Sequence, residues 1–124
     1  VGICTRRDLI ANSPDLIMRL VKGMVEAVVF IQDPRNKQDV MEVLKRNLRL
    51  STDKDAETTY NALRLVASLD VAPDPEAWRN IQRFVSRVNP KVAQVDIQQI
   101  VNGSFVKSLE VTGFLPAARK KLGL

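Results

Sequence analysis

The sequence predicts a mainly α-helical chain, and three observations predict it: proline-led caps recur at Ser13-Pro14-Asp15, Asp33-Pro34 and Asp74-Pro75-Glu76, apolar residues recur at spacings of three and four, and glycines or prolines close the apolar runs. Each cap has the same logic. A short polar side chain can accept from an orphan amide, proline tolerates the first helical position, and an acid suits the positive end of the helix dipole. With 124 residues, 45% of them hydrophobic and 27% charged, the chain fits one domain with one core, 1–124.

Val1 to Cys4 is apolar and partly β-branched, and TRRD follows at once, so a single short strand is expected at the start. It has no pairing partner elsewhere in the chain. The first predicted helix opens at Ser13-Pro14. It places Ile17, Leu20, Val21, Met24, Val28 and Ile31 on one face, with Arg19, Lys22 and Glu26 opposite. Val29 and Phe30 widen its apolar surface, which predicts cover from more than one side. Gly23, which costs about 1 kcal/mol against alanine inside a helix, suggests close approach of another backbone. The second helix, Pro34 to about Leu48, turns Val40, Val43 and Leu44 inward. The third starts at Ser51-Thr52-Asp53, runs to about Leu69 and uses Ala56, Tyr60, Leu63 and Ala67.

DVAPDP, Asp70 to Pro75, cannot continue a helix, because proline lacks the amide donor and restricts the residue before it. The fourth helix, Pro75 to Val88, sets Trp78, Ile81, Val85 and Val88 on an inward face and stops at Asn89-Pro90. Asp96 caps a segment carrying Ile97, Ile100 and Val101, which Asn102-Gly103 ends. Ser104 caps the next helix and Gly113 ends it. Arg119, Lys120 and Lys121 then close a last helix that begins near Pro116, where cations suit the negative end of the dipole.

The chemistry-bearing residues are few. With no histidine and one cysteine, Cys4, an internal disulfide is excluded and the usual metal and general-base options shrink. No glycine-rich phosphate loop, paired-carboxylate motif or metal-ligand spacing gives any nucleophile an activator, so the chain reads as not an enzyme, with no cofactor. Cys4 reads as a small buried hydrophobe. The longest apolar run, Met24 to Ile31, is broken by Glu26 and falls far short of the roughly 20 residues of a membrane span. A net charge of +5 permits anionic partners without selecting one. Arg79, Arg83 and Arg87 form a basic ridge on the fourth helix, away from Trp78. This ridge supports an alternative reading as a free-standing helical adaptor for nucleic acid or protein. Solvation of the ridge, with Glu76 pairing to Arg79, is the plainer expectation, and no nucleic acid is expected. Arg6 and Arg7 could meet an anion or be tied to Asp8.

Two passages carry a resemblance. VGICTRRDLIANSPDLIMRLVKGMVEAVVFI is similar to the stretch of solute-binding proteins of ABC importers in which a strand returns to the first lobe, a polar link follows, and a helix opens on serine, proline and an acid. VDIQQIVNGSFVKSLEVTGF resembles the terminal helices of the same family, in the branch that carries nitrate, sulfonates, taurine and thiamin-precursor pyrimidines; Ser104-Phe105-Val106 and Leu109 match the helix and Gly113-Phe114 its exit. Asn102 departs from the acid often found there. The resemblance implies a helical carboxy-terminal segment of a two-lobed α/β periplasmic-binding-protein fold of type II. The parent would be periplasmic or otherwise extracytoplasmic, capturing a small anionic or heterocyclic solute for a membrane permease driven by an ATPase. The solute cleft would lie mainly in the preceding part, with Thr5 and Arg6 nearest to it. The chain opens on Val1 without a signal-peptide pattern, so it reads as a processed or truncated product. Bare apolar surface would permit a homodimer.

Overall fold

A computed structural model describes residues 4–69 and 72–123. Among them are eight α-helices and two 3₁₀ turns, and no strand: α1 Arg7–Asn12, α2 Pro14–Gln32, a 3₁₀ turn Pro34–Asn36, α3 Lys37–Leu48, α4 Asp53–Val66, α5 Pro75–Val85, a 3₁₀ turn Pro90–Gln94, α6 Ile97–Ile100, α7 Ser104–Val111 and α8 Phe114–Lys121. The mainly α expectation holds. The expected strand falls largely on residues 1–3, outside the described residues; Cys4, its last member, lies in no regular element and is exposed rather than buried.

The caps work as their residue types dictate. Asp33 accepts from the Arg35 amide at 3.0 Å, Thr52 from Asp55 at 3.1 Å, Asp74 from Glu76 at 2.8 Å and Asp96 from Gln98 at 3.0 Å. Ser13 stands at the start of α2 but makes no side-chain cap bond. Ser104 is a correction: it is the first residue of α7, Gly103 holds the cap position, and Asn102 accepts from both the Ser104 amide (2.9 Å) and hydroxyl (2.7 Å). The amide side chain thus does what the expected serine would have done. Gly113 ends α7 with φ 80°, the left-handed conformation that glycine adopts without steric cost.

Two apolar clusters hold the fold. In the first, α2 packs against α7 and α8, burying Val25, Leu69, Leu109, Leu115 and Ala118, with Met18, Val21, Val28, Val29, Val106, Phe114 and Leu122 around them. Lys22 lies over the Phe114 ring at 5.4 Å, so its stem covers the edge of this cluster while its charge faces the ring. In the second, α3 and α4 pack as a hairpin around Val40, Met41, Ala56 and Tyr60, with Ile31 reaching in from the end of α2. Gln32 ties the two clusters. Its side-chain amide donates to the carbonyls of Arg64 (2.8 Å) and Ala67 (2.5 Å), two groups that the end of α4 leaves without intrahelical partners.

Several inward faces differ from expectation. On α2 the buried line runs through Ile17 and Val25, while Leu20 and Met24 are 46% and 45% exposed. The helix is apolar over most of its circumference, so periodicity could not say which side α7 and α8 would take. Gly23 meets nothing within 4 Å where a Cβ would stand, so it makes no close backbone approach to the described residues of another element. It lies beside the uncovered Leu16, Leu20 and Met24. On α3, Met41 is buried and Val43 is exposed. The largest departure is α5: none of its residues is buried, and Ile81, Phe84, Val85 and Val88 face solvent. It touches the 3₁₀ turn Pro90–Gln94 and α6, where Gln82 donates to the Val92 (2.9 Å) and Val95 (2.6 Å) carbonyls.

Candidate functional site

The residues nearest the expected cleft lie on the short link before α1. Thr5 is exposed, and Arg6 is the residue before the first turn of α1. Its guanidinium is turned onto Asp8, with Nε donating to Oδ1 at 2.9 Å and Nη2 paired to Oδ2. That pairing holds the Asp8 carboxyl below its ordinary pKa. Arg7 Nη2 instead donates to the Gln99 carbonyl at 3.2 Å, joining α1 to α6. The charge of Arg6 is therefore neutralised locally, and Arg7 is a structural tie. Neither lines the two grooves described below.

Arg79, Arg83 and Arg87 are all exposed and follow one side of α5 and the turn after it. Glu76 makes no ion pair with Arg79, contrary to the sequence expectation; the ion pairs among the described residues are Arg6–Asp8, Arg35–Asp33, Lys37–Glu57, Lys45–Asp53 and Arg119–Glu110. The ridge is a solvated row of guanidiniums. Trp78 lies on the other side of the helix, and the exposed Phe84 stands between the ridge and the apolar face.

Two shallow grooves lie among the described residues. One of about 370 Å³ is lined by Gln32, Arg64, Ala67, Ser68, Leu69 and Leu122. Its polar groups are already committed: Gln32 to the α4 carbonyls, and Arg64 to Gln32 Oε1 at 3.3 Å and to the Tyr60 ring at 5.8 Å. The other, about 290 Å³, lies between α5 and α6 and is lined by Pro75, Arg79, Gln82, Asp96, Ile97 and Gln98. Arg79 and Asp96 offer opposite charges there, and Asp96 and Gln82 are occupied by backbone groups. In the second groove Arg79 brings a charge that no ion pair among the described residues neutralises.

Beyond Asp8, two more carboxyls among the described residues sit below their usual range. Asp33 is lowered by the Arg35 side chain and amide, and Asp53 by Lys45. Both lie at helix starts, so these shifts belong to capping and surface pairing. No cluster of metal-ligating side chains occurs among the described residues, and no helix there is long and apolar enough to cross a membrane.

What sequence reasoning missed is the bare face of α5. The signal was present in the strength of its amphipathic pattern, but a pattern does not say whether a partner exists within the chain. Comparison with family models, curated proteins and solved structures found no match for this chain.

Proposed function

We propose that the chain is the scaffold portion of an extracytoplasmic solute-binding protein of an ABC importer, in the branch that carries nitrate, sulfonates, taurine and thiamin-precursor pyrimidines. The reading rests on the two passages of resemblance. One observation carries it further: these passages lie at opposite ends of the sequence, yet their apolar residues form one cluster, Val25 from the first with Leu109 from the second, continued by Leu115. Packing of the two ends against each other accords with their belonging to one lobe of such a protein.

In the parent protein, a solute would favour the closed arrangement of two lobes through contacts that exist only there, and the closed form would present it to the permease. This segment contributes rigidity to one side of that motion. The uncovered line of Leu16, Leu20 and Met24 on α2 is where the rest of the parent would lie against it. With Arg6 held by Asp8, and Gln32, Arg64, Gln82 and Asp96 of the two grooves bonded internally, the described residues offer little for a solute to engage. Calorimetric titration of the chain with taurine, nitrate, alkanesulfonates and pyrimidines is expected to show no saturable heat. Micromolar binding of any one of them contradicts the scaffold role.

A further inference from the structure

We infer that Asn102 is a site of spontaneous deamidation, in which the Gly103 amide nitrogen displaces the side-chain nitrogen as ammonia and two donors of Ser104 stabilise the oxyanion that forms. The chain holds seven asparagines, and Asn102 alone is followed by glycine. Without a Cβ beside it, the attacking nitrogen has an open approach to Asn102 Cγ. The surroundings agree. Asn102 is exposed in the link between α6 and α7, and no described residue accepts from the Gly103 amide. Asn102 Oδ1 accepts from the Ser104 amide at 2.9 Å and the Ser104 hydroxyl at 2.7 Å. Those donors sit on the oxygen whose charge grows as nitrogen adds to Cγ, the arrangement by which an oxyanion hole lowers the barrier to acyl transfer.

At each of the other asparagines the nitrogen that would attack is engaged or has no proton to give up. After Asn12, the Ser13 amide donates to the Leu9 carbonyl at 2.9 Å; after Asn36, the Lys37 amide donates to Pro34. Leu48, Ala62 and Ile81, which follow Asn47, Asn61 and Asn80, lie inside helices with their amides in the ladder. Asn89 makes a turn like that of Asn102, accepting from the Lys91 amide at 3.3 Å, but Pro90 follows it and carries no N–H.

The atoms balance with water as the only co-reactant. The Gly103 nitrogen gives its proton to a base in solvent and bonds to Asn102 Cγ; the Cγ–Nδ2 bond breaks, and Nδ2 takes a proton from water and leaves as ammonia. The five-membered imide then takes up water. Addition at Cγ opens the ring to aspartate and restores the original main chain, while addition at the main-chain carbonyl carbon of residue 102 gives isoaspartate, with the chain rerouted through Cγ. Aspartate keeps an acceptor at the start of α7 and adds a negative charge at the positive end of its dipole. Isoaspartate lengthens the main chain by a carbon atom just before the helix that carries Leu109 into the core.

This inference does not depend on the transport reading, and its experiment leaves that reading untouched. The full chain is held in neutral buffer at body temperature, sampled over weeks and digested with trypsin for mass spectrometry. The peptide 92–107, in which Asn102 is the one asparagine, is expected to gain the mass of an amide turned acid before any peptide carrying another asparagine does. It should separate by chromatography into aspartate and isoaspartate forms. Gly103→Ala should remove both forms over the same period. Gly103 has φ −91°, and a Cβ there meets Pro73 Cδ at 3.4 Å, so that variant should keep the wild-type circular dichroism. Ser104→Ala removes one of the two donors and should slow the gain several-fold in the folded chain but not in urea, where the turn is lost. An Asn102 that stays intact, aspartate without isoaspartate, a Gly103→Ala chain that reacts as fast, or a Ser104→Ala effect that is absent in the folded chain or equal in urea each overturns the inference.

Discussion

Leu115→Ala is expected to lower the unfolding free energy by about 2–5 kcal/mol, the range for truncating a fully buried leucine that leaves a cavity. Leu115 is 0% exposed, at the start of α8, in the cluster that also holds Val25 and Leu109. Its removal takes contacts from α2, α7 and α8 together, the three helices that join the two ends of the chain. For a domain stabilised by about 5–15 kcal/mol in total, this is a large fraction. Urea unfolding followed by circular dichroism measures it. A loss below about 0.5 kcal/mol, the ordinary size of a surface change, would mean that α8 is not seated on α2 as described.

Tyr60→Ala should cost about 3–5 kcal/mol, as for other buried aromatics cut to alanine. Tyr60 is 2% exposed in the α3–α4 cluster, and the cations of Lys37 and Arg64 lie 5.9 Å and 5.8 Å from its ring centre. Its hydroxyl, by contrast, is buried without a hydrogen-bond partner. Such a group costs about 1–3 kcal/mol to desolvate. Tyr60→Phe keeps the ring and removes the unsatisfied oxygen, so it should be neutral or stabilising. The two variants thus separate the ring from the hydroxyl, and amide exchange should show α3 and α4 losing protection first in Tyr60→Ala. A Tyr60→Phe protein destabilised by more than about 1 kcal/mol would show that the hydroxyl has a partner after all.

The helix starts were legible because capping is local chemistry. Asp33, Thr52, Asp74 and Asp96 each sit within three residues of the amide they accept from, and Gly113 takes the left-handed turn that a helix exit demands. The short helix α1 was not legible. TRRDLIAN has only the consecutive Leu9, Ile10 and Ala11 as apolar residues, which show no period, and its acid is held from outside the helix by Arg6.

Which face of a helix is buried was legible only where one apolar face existed. On α4, Ala56 and Tyr60 left no choice. On α2 the apolar arc is so wide that tertiary packing selected Val25 over Leu20 and Met24. On α5 the pattern was unambiguous and the burial absent, since amphipathicity records a need for a partner and not its address. Thr5 and Arg6 stood out by position beside a charged link; their geometry, with Arg6 spent on Asp8, depends on a two-residue reach that spacing suggests but does not fix.

The central claim concerns the parent protein, and the coding sequence that precedes Val1 tests it most directly. The transport reading predicts an open reading frame that starts with a signal peptide and continues through roughly two hundred residues of alternating strand and helix pattern before joining this chain. An initiator methionine immediately before Val1 would contradict it.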